Sequence, residues 1–168
     1  SKTGITGNLN DFLIRMMQAC IMLGKFPDRE TPLYLVPADY AAQALIFLSL
    51  QPDSYGREFH ILNPLAVTWN TFFEITTNLG YSLEKISQKE WEEDIRRYVD
   101  EHRKSTLYTI LRFALNSSKA MVHTKPQFDM SETLKGLVDT GIECPPADEK
   151  LVTTWIEYLQ KSNYIPTP

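Results

Sequence analysis

The chain has 168 residues, 43% hydrophobic and 23% charged, which suits one ordinary domain with a buried core. Its 17 Lys and Arg against 21 Asp and Glu give a net charge of −4, so we expect no nucleic-acid partner, because duplex binders carry a basic face. The longest apolar stretch, residues 41–50, is too short to span a bilayer, so no membrane partner is expected either.

The cysteines and the first residues indicate the cellular compartment. Two cysteines, Cys20 and Cys144, are too few for a disulfide framework in a chain of this length. The first residues also lack the apolar core of a signal peptide, so a cytoplasmic protein with two free thiols is expected. Because the chain opens without Met in a polar, glycine-containing segment, we expect it to be a fragment of a longer protein.

The first predicted element is a helix over residues 11–23. Its apolar residues recur at spacings of three and four, with Asn10 as the predicted N-cap and Gly24 as the stop signal. Further apolar residues lie off that stripe, so more than one face is covered. The helix is therefore expected to be buried between layers.

Two short strands joined by a helix are predicted next. Residues 33–36 and 59–62 are apolar runs closed by prolines, and residues 39–50 between them have a helical pattern. This order predicts a β-α-β unit with parallel strands and a right-handed crossover. The predicted buried side of the helix consists of Ala41, Ala42, Ala44, Leu45 and Leu48.

Helical signals continue through the middle of the chain. A third helix is predicted to follow Thr68 and to end at Gly80. Ser87 and Glu90 have the spacing of a capping box, which predicts that a further helix begins there. The apolar face of that helix is predicted to consist of Trp91, Ile95, Tyr98, Val99 and His102.

The last part of the chain is predicted to be helical as well. Residues 106–115 predict an amphipathic piece, and Pro146 suits the first turn of the final helix. That helix is predicted to bury Leu151, Val152, Trp155, Ile156 and Leu159. We therefore expect residues 1–168 to form a single unit of the α/β class, mostly helical, with a few short parallel strands.

The nucleophiles and metal-ligating residue types suggest no site. His60, His102 and His123 are far apart and have no ligand spacing, so ordinary histidines are expected rather than a metal centre. Cys144 with His123 as a base would form a nucleophile only if the thiol pKa were lowered, and no neighbour in sequence does so. Cys20 lies within an apolar helix and is expected in the core. The sequence also lacks the glycine-rich motifs that hold nucleotide phosphates.

Tyr81 and Lys85 match the Y-x-x-x-K spacing of the catalytic pair in short-chain dehydrogenases. That chemistry requires both side chains on one face of a helix. Here the pair lies between a glycine that ends one helix and a serine that caps the next, in a stretch predicted to be a turn plus an extended segment. The match is therefore interpreted as accidental.

Two clusters of polar residues are further candidates for binding. Asp39 and Tyr40 follow a predicted strand and begin a helix, where α/β proteins often position ligand-facing groups, although a simple helix cap at Asp39 is the stronger interpretation. Four cations lie off the apolar stripe of a later helix, where a solvated face is usual but an acidic partner could bind. They are Arg96, Arg97, Arg103 and Lys104.

An ordered set of short segments resembles one family. They are residues 3–4, 11–16 (DFLIRM), 23–28 (LGKFPD), 37–40 (PADY), 48–52 (LSLQP), 59–64 (FHILNP), 67–69, 128–129, 144–146 and 158–159. Together they cover nearly the whole chain and resemble the C-terminal half of a thioester reductase domain. These domains are extended short-chain dehydrogenases that end nonribosomal peptide and polyketide assembly lines.

The resemblance implies a cofactor and two partners. In that family a carrier-bound acyl thioester receives hydride from NADPH and is released as an aldehyde or alcohol. The nucleotide loop and the catalytic Tyr and Lys belong to an N-terminal Rossmann half that is absent here, so this fragment alone is expected to bind no cofactor and to be inactive. The implied partners are that Rossmann half and an acyl or peptidyl carrier protein with its phosphopantetheine arm.

The resemblance also implies which residues face the substrate and the carrier. The basic side of the helix with Arg96, Arg97, Arg103 and Lys104 is the candidate surface for an acidic carrier. The segment from residue 3 to 10, the head of the first helix and the 37–40 turn would wall the acyl channel. The substrate-facing residues are then Thr3, Gly4, Asn10, Phe12, Pro37, Asp39 and Tyr40.

Two alternatives remain open. The same lobe could belong to a fatty acyl-CoA or carboxylic acid reductase of the same superfamily. The chain could also be an independent α-helical interaction module, which would have a self-sufficient core and no wide apolar surface.

Overall fold

The computed structural model describes residues 1–9, 11–102, 108, 111–112 and 128–168. The helices are α1 (Phe12–Leu23), α2 (Ala38–Ser49), α3 (Trp69–Asn78), α4 (Gln88–Glu101), α5 (Ser131–Gly136) and α6 (Glu149–Lys161). The strands are β1 (Lys25–Pro27), β2 (Pro32–Leu33), β3 (Val67–Thr68) and β4 (Glu84–Ile86). This architecture confirms the predicted mostly helical α/β unit with a few short strands, of which one pair is parallel.

The start of α1 differs from its prediction by one residue. Asp11, not Asn10, is the N-cap, and its carboxylate accepts a hydrogen bond from the Leu13 backbone N–H at 2.8 Å. Gly24 ends the helix as predicted, in the left-handed conformation at φ 64°. Its backbone then leads directly into β1.

The strand pairing differs from the predicted β-α-β unit. β1 pairs in parallel with β4, and β2 pairs antiparallel with β3, so the predicted pairing of 33–36 with 59–62 is wrong. Residues 59–62 form no strand, and the carbonyl of His60 instead accepts a hydrogen bond from Thr133 Oγ1 at 2.9 Å. Because a β-strand forms only where a neighbouring strand supplies its hydrogen-bond partners, an apolar run by itself does not specify a strand.

A buried asparagine fixes the turn that follows β1. Asn70, on α3, is only 4% exposed, and its amide nitrogen donates to Asp28 at 2.6 Å and to Glu30 at 2.7 Å. Its side-chain oxygen accepts a hydrogen bond from the Arg29 backbone N–H at 2.8 Å. All the hydrogen-bonding groups of this amide are thus used within one turn, which ties residues 28–30 to α3.

The predicted starts of the middle helices are confirmed, whereas α3 ends at Asn78, two residues before the predicted end at Gly80. Thr68 is the N-cap of α3, and Ser87 and Glu90 form both hydrogen bonds of the capping box at the start of α4. Of the predicted apolar face of α4, Trp91, Ile95 and Val99 are buried, whereas Tyr98 is half-buried and His102 is exposed at the C-cap. The helix predicted over 106–115 falls largely outside the described residues.

The last helix begins later than predicted. Asp148 is its N-cap and accepts a hydrogen bond from the Leu151 backbone N–H at 2.9 Å, so Pro146 lies outside the first turn. Of the predicted buried face, Val152, Ile156 and Leu159 are fully buried. Leu151 and Trp155 are only partly buried.

Two apolar clusters form the core. The larger one brings together α1, α3, α4 and α6, with Phe26 stacked on Phe73 at 5.0 Å between ring centroids. The smaller one consists of Tyr40, Ala44, Leu48 and Leu137, between α2 and α5. In this cluster the Gly136 backbone approaches α2 so closely that a Cβ at this position would lie 2.6 Å from Leu48 Cδ2.

Helix α2 has a second apolar face that is exposed. Of the predicted buried side only Ala44 and Leu48 are buried, whereas Ala42 is exposed and Leu45 is 61% exposed. Ile46, equally exposed, extends this apolar stripe. The helix is apolar around most of its circumference, which is typical of a helix between two layers. None of the described helices is both long and apolar enough to cross a membrane.

Candidate functional site

A cavity of about 550 Å³ lies between the N-terminal residues, the start of α2 and the first half of α6. Its volume falls in the range of small-molecule sites. The chain from Ser1 to Gly7 and the segment 35–39 contribute two of its sides. Its apolar wall is completed by Leu13, Leu151, Val152 and Trp155.

Residues 1–9, hereafter the N-terminal strap, are held at three points. At one end, the Ser1 hydroxyl donates to the Asp39 carboxylate at 2.5 Å. In the middle, the Gly4 backbone touches α6 so closely that a Cβ would lie 2.3 Å from the Thr154 carbonyl oxygen. At the other end, the Tyr164 hydroxyl donates to the Leu9 carbonyl. The strap thus forms a fixed wall of the cavity.

Asp39 is one of two charged side chains in the cavity wall, the other being Lys2, and it is not the N-cap of α2. That cap is Pro37, which offers no side-chain acceptor, and Asp39 lies in the first turn. Its carboxylate accepts hydrogen bonds from the Ser1 hydroxyl and from the Tyr40 backbone N–H, the latter at 3.1 Å. These donors, the Ser1 hydroxyl foremost, hold the pKa of Asp39 below its ordinary value, so the group is anionic at neutral pH.

The structure brings together some, but not all, of the predicted substrate-facing residues. Thr3, Gly4, Pro37 and Asp39 line the cavity. Tyr40 does not, because it is buried in the smaller apolar cluster.

Of the other two predicted positions, only Phe12 can be placed, and it is not among the residues that line the cavity. Phe12 packs against the larger cluster, and Asn10 lies outside the described residues. Sequence reasoning missed Trp155 and Leu13 as lining residues, because their helical spacing indicated core. Their partial burial, which a sequence does not reveal, is what opens them to the cavity.

Tyr81 and Lys85 do not lie on one face of a helix, as the catalytic pair of short-chain dehydrogenases would. Lys85 is on strand β4 and pairs with Glu74 at 3.3 Å. The Tyr81 hydroxyl donates to the Pro166 carbonyl at 2.5 Å and accepts from Gln160 Nε2 at 2.9 Å. Burial raises the pKa of Tyr81, the opposite of what a proton donor working near neutral pH requires. This geometry agrees with the interpretation of the motif as accidental, which stays a prediction.

The thiols have the character of structural groups. Cys20 is fully buried, and burial raises its pKa well above the ordinary value. Cys144 is partly exposed, and desolvation raises its pKa to about 11. A thiol of this kind is protonated at neutral pH and is a poor nucleophile. His123, considered as its base, lies outside the described residues.

The predicted carrier-binding cations are engaged in local ion pairs where the structure describes them. Arg96 pairs with Glu92 and Arg97 with Asp94, each at 3.7 Å, while both guanidinium groups remain largely exposed. Arg103 and Lys104 lie outside the described residues. Exposed pairs at this distance are weak, so the two arginines stay available to a stronger anionic partner. Their role in docking a carrier stays a prediction.

No family model matches the sequence. Among curated proteins, the chain is 26% identical over 161 residues to a linear gramicidin synthase from Brevibacillus parabrevis. It is 30% identical over 135 residues to L-2-aminoadipate reductase from Schizosaccharomyces pombe. The matches cover 93% and 79% of this chain, but only 3% and 9% of those proteins.

Solved structures resemble the chain over nearly its full length. The terminal R domain from the myxalamid PKS-NRPS pathway matches with a TM-score of 0.90 and 27% identity, over 100% of this chain and 43% of that one. A thiolation-reductase di-domain from an archaeal non-ribosomal peptide synthetase matches with a TM-score of 0.72 and 20% identity, which shows the fold alone. That match covers 96% of this chain and 34% of the di-domain, so the chain spans less than half of either structure.

Proposed function

The chain belongs with the reductase domains of nonribosomal peptide synthetases, and on that premise we propose that it is the acyl-binding lobe of a reductase that releases a carrier-bound thioester. The observation that carries the proposal is the cavity with its apolar wall, in a chain whose whole length matches part of a terminal R domain. Its walls of Leu13, Leu151, Val152 and Trp155 suit the hydrocarbon part of an acyl group.

The proposed reaction of the whole protein is reductive release. The acyl carbon of the thioester accepts a hydride from NADPH, and the C–S bond breaks. The carrier sulfur leaves with a proton as the thiol, so the products are an aldehyde and NADP⁺. A second hydride from NADPH and a proton on the oxygen would give an alcohol. The described residues do not fit the cofactor. The Tyr81 hydroxyl is hydrogen-bonded to the Pro166 carbonyl, Lys85 forms an ion pair with Glu74, and the sequence has no glycine-rich phosphate loop. The contribution proposed for this chain is therefore to bind and orient the acyl group.

The exposed stripe of α2 is the proposed contact with the remainder of the reductase. Leu45 and Ile46 leave an apolar face uncovered on a helix whose opposite side is packed against α5. The matched R domain is more than twice as long as this chain, so a further part of such a domain is available to cover the stripe. This exposed face disfavours an independent interaction module, which would have a self-sufficient core.

A matched pair of substitutions tests this contact in the full-length protein. Leu45→Asp would bury a charge at the proposed contact, whereas Leu65→Asp alters a leucine of the same 61% exposure that is not on α2. We expect Leu45→Asp to cost about 2 kcal/mol or more of unfolding free energy and Leu65→Asp to cost little. Equal, small effects in a denaturant titration would contradict the proposed contact.

The activity itself is tested by comparing the 168-residue chain with the full-length protein. The full-length protein should bind NADPH and oxidise it when given a carrier-bound acyl thioester, and the 168-residue chain should do neither. Activity of the short chain would overturn the division of roles. A marked preference for the acyl-CoA thioester over the carrier-bound one would favour the fatty acyl-CoA reductase alternative.

A further inference from the structure

We propose that Gly4 is a specificity-determining residue, which sets the largest acyl group that the cavity accepts by letting the N-terminal strap lie directly on α6. The inference rests on the proposed function of the cavity as an acyl site. Gly4 itself lines the cavity, together with its neighbours Thr3 and Ile5. The position of the strap therefore determines the distance across the cavity at this point.

The contact at Gly4 leaves no room for a side chain. A Cβ there would lie 2.3 Å from the Thr154 carbonyl oxygen and 3.0 Å from Tyr158 Cβ, where ordinary contacts are more than 3.4 Å. The φ of Gly4 is also +68°, a conformation that residues with a side chain rarely adopt. A methyl group would therefore force the strap or the helix to move by about 1 Å.

The strap is the partner that would move. On its inner side α6 is anchored by Val152, Ile156 and Leu159, all fully buried in the larger cluster. The strap rests on the surface, and Ile5 is 67% exposed. Displacing an exposed segment disturbs less packing than displacing a helix that contributes to the core.

The direction of that movement widens the cavity. The strap is tied at Asp39 and at Tyr164, so a push at Gly4 moves its middle away from α6 while its ends stay in place. Leu151 and Trp155 on α6 form the facing wall. A larger gap between strap and helix would admit longer or more branched acyl groups.

The test uses the full-length protein that contains this chain and unbranched acyl-pantetheine thioesters of increasing length. The measured quantity is the ratio of kcat/KM for the longest to that for the shortest substrate. Gly4→Ala should raise this ratio about tenfold, a common effect of changing a hydrophobic pocket by one small group. Loss of folded protein alone would lower both values equally and leave the ratio unchanged.

Gly56→Ala is the matched control. Gly56 has a similar φ of +74°, but a Cβ there meets nothing within 4 Å, and the residue lies away from the cavity. The Gly56→Ala variant has the same kind of backbone strain without a close contact at the added Cβ. Its ratio of kcat/KM values should therefore equal that of the unaltered protein. An equal ratio in both variants would overturn the proposal, whereas failure of the unaltered protein to reduce any thioester would overturn the proposed function instead.

A second variant decides the matter should Gly4→Ala not fold, as judged by circular dichroism. Ile5→Trp adds bulk to the cavity side of the strap at an exposed position that the fold does not depend on. It should lower the same ratio about tenfold by excluding the longest acyl groups. An unchanged ratio in a folded Ile5→Trp protein would refute the role of the strap.

Discussion

Replacing Tyr81 by Phe separates structure from catalysis at the motif that most resembles an active site. The substitution removes one hydroxyl from a side chain that is 5% exposed, and it leaves the Pro166 carbonyl and the Gln160 amide without their partner. Leaving such groups unsatisfied costs about 1–3 kcal/mol in unfolding free energy. We therefore expect a clearly lower denaturation midpoint and an unchanged kcat.

The assay combines a denaturant titration with the rate of thioester reduction by the full-length protein. Lys85→Met is the companion variant, since it removes only an exposed ion pair at 3.3 Å, worth about 1 kcal/mol at most. It should change neither stability nor rate appreciably. A large loss of kcat in both variants, with stability preserved, would show that Tyr81 and Lys85 act in proton transfer and would refute the structural interpretation.

Two further predictions concern the buried amide and the exposed arginines. Asn70→Ala should cost about 2 kcal/mol of unfolding free energy, because it releases the turn at residues 28–30, and a denaturant titration measures this. Replacing Arg96 and Arg97 together by Glu should raise KM several-fold for the carrier-bound thioester but not for a pantetheine thioester. Equal kinetics of the double variant and the unaltered protein with both substrates would reject the docking surface.

Local signals determined much of the fold, and these were predictable. The end of α1 at Gly24 and the cap of α4 at Ser87 could be predicted, because a left-handed turn and a capping box each depend on only a few adjacent residues. Asp148 shows the limit of such signals. Its side chain caps the last helix, whereas Pro146, an acceptable first-turn residue, lies before it.

Features that depend on distant partners were not predictable from the chain. Residues 59–62 have strand composition, yet no neighbouring strand pairs with them among the described residues. Leu45 was predicted to be buried but is exposed. The sequence of an apolar helix does not indicate which of its faces the rest of the chain covers. At the candidate site, the family resemblance identified Gly4 and Asp39, whereas Trp155 became recognisable only through the cavity it borders.

The two apolar faces of α2 restrict the substitutions that this helix can accept during evolution. On α4, exposed charged residues outside the capping box and the proposed docking surface, such as Glu93 and Asp100, are constrained little by their neighbours, so substitutions there cost little stability. α2 offers few such positions, since Asp39 is its sole charged residue and its uncovered side matches the proposed contact with the other half of the reductase. Accepted mutations should therefore be rare along α2, and those that occur should be accompanied by compensating changes in the half that faces it.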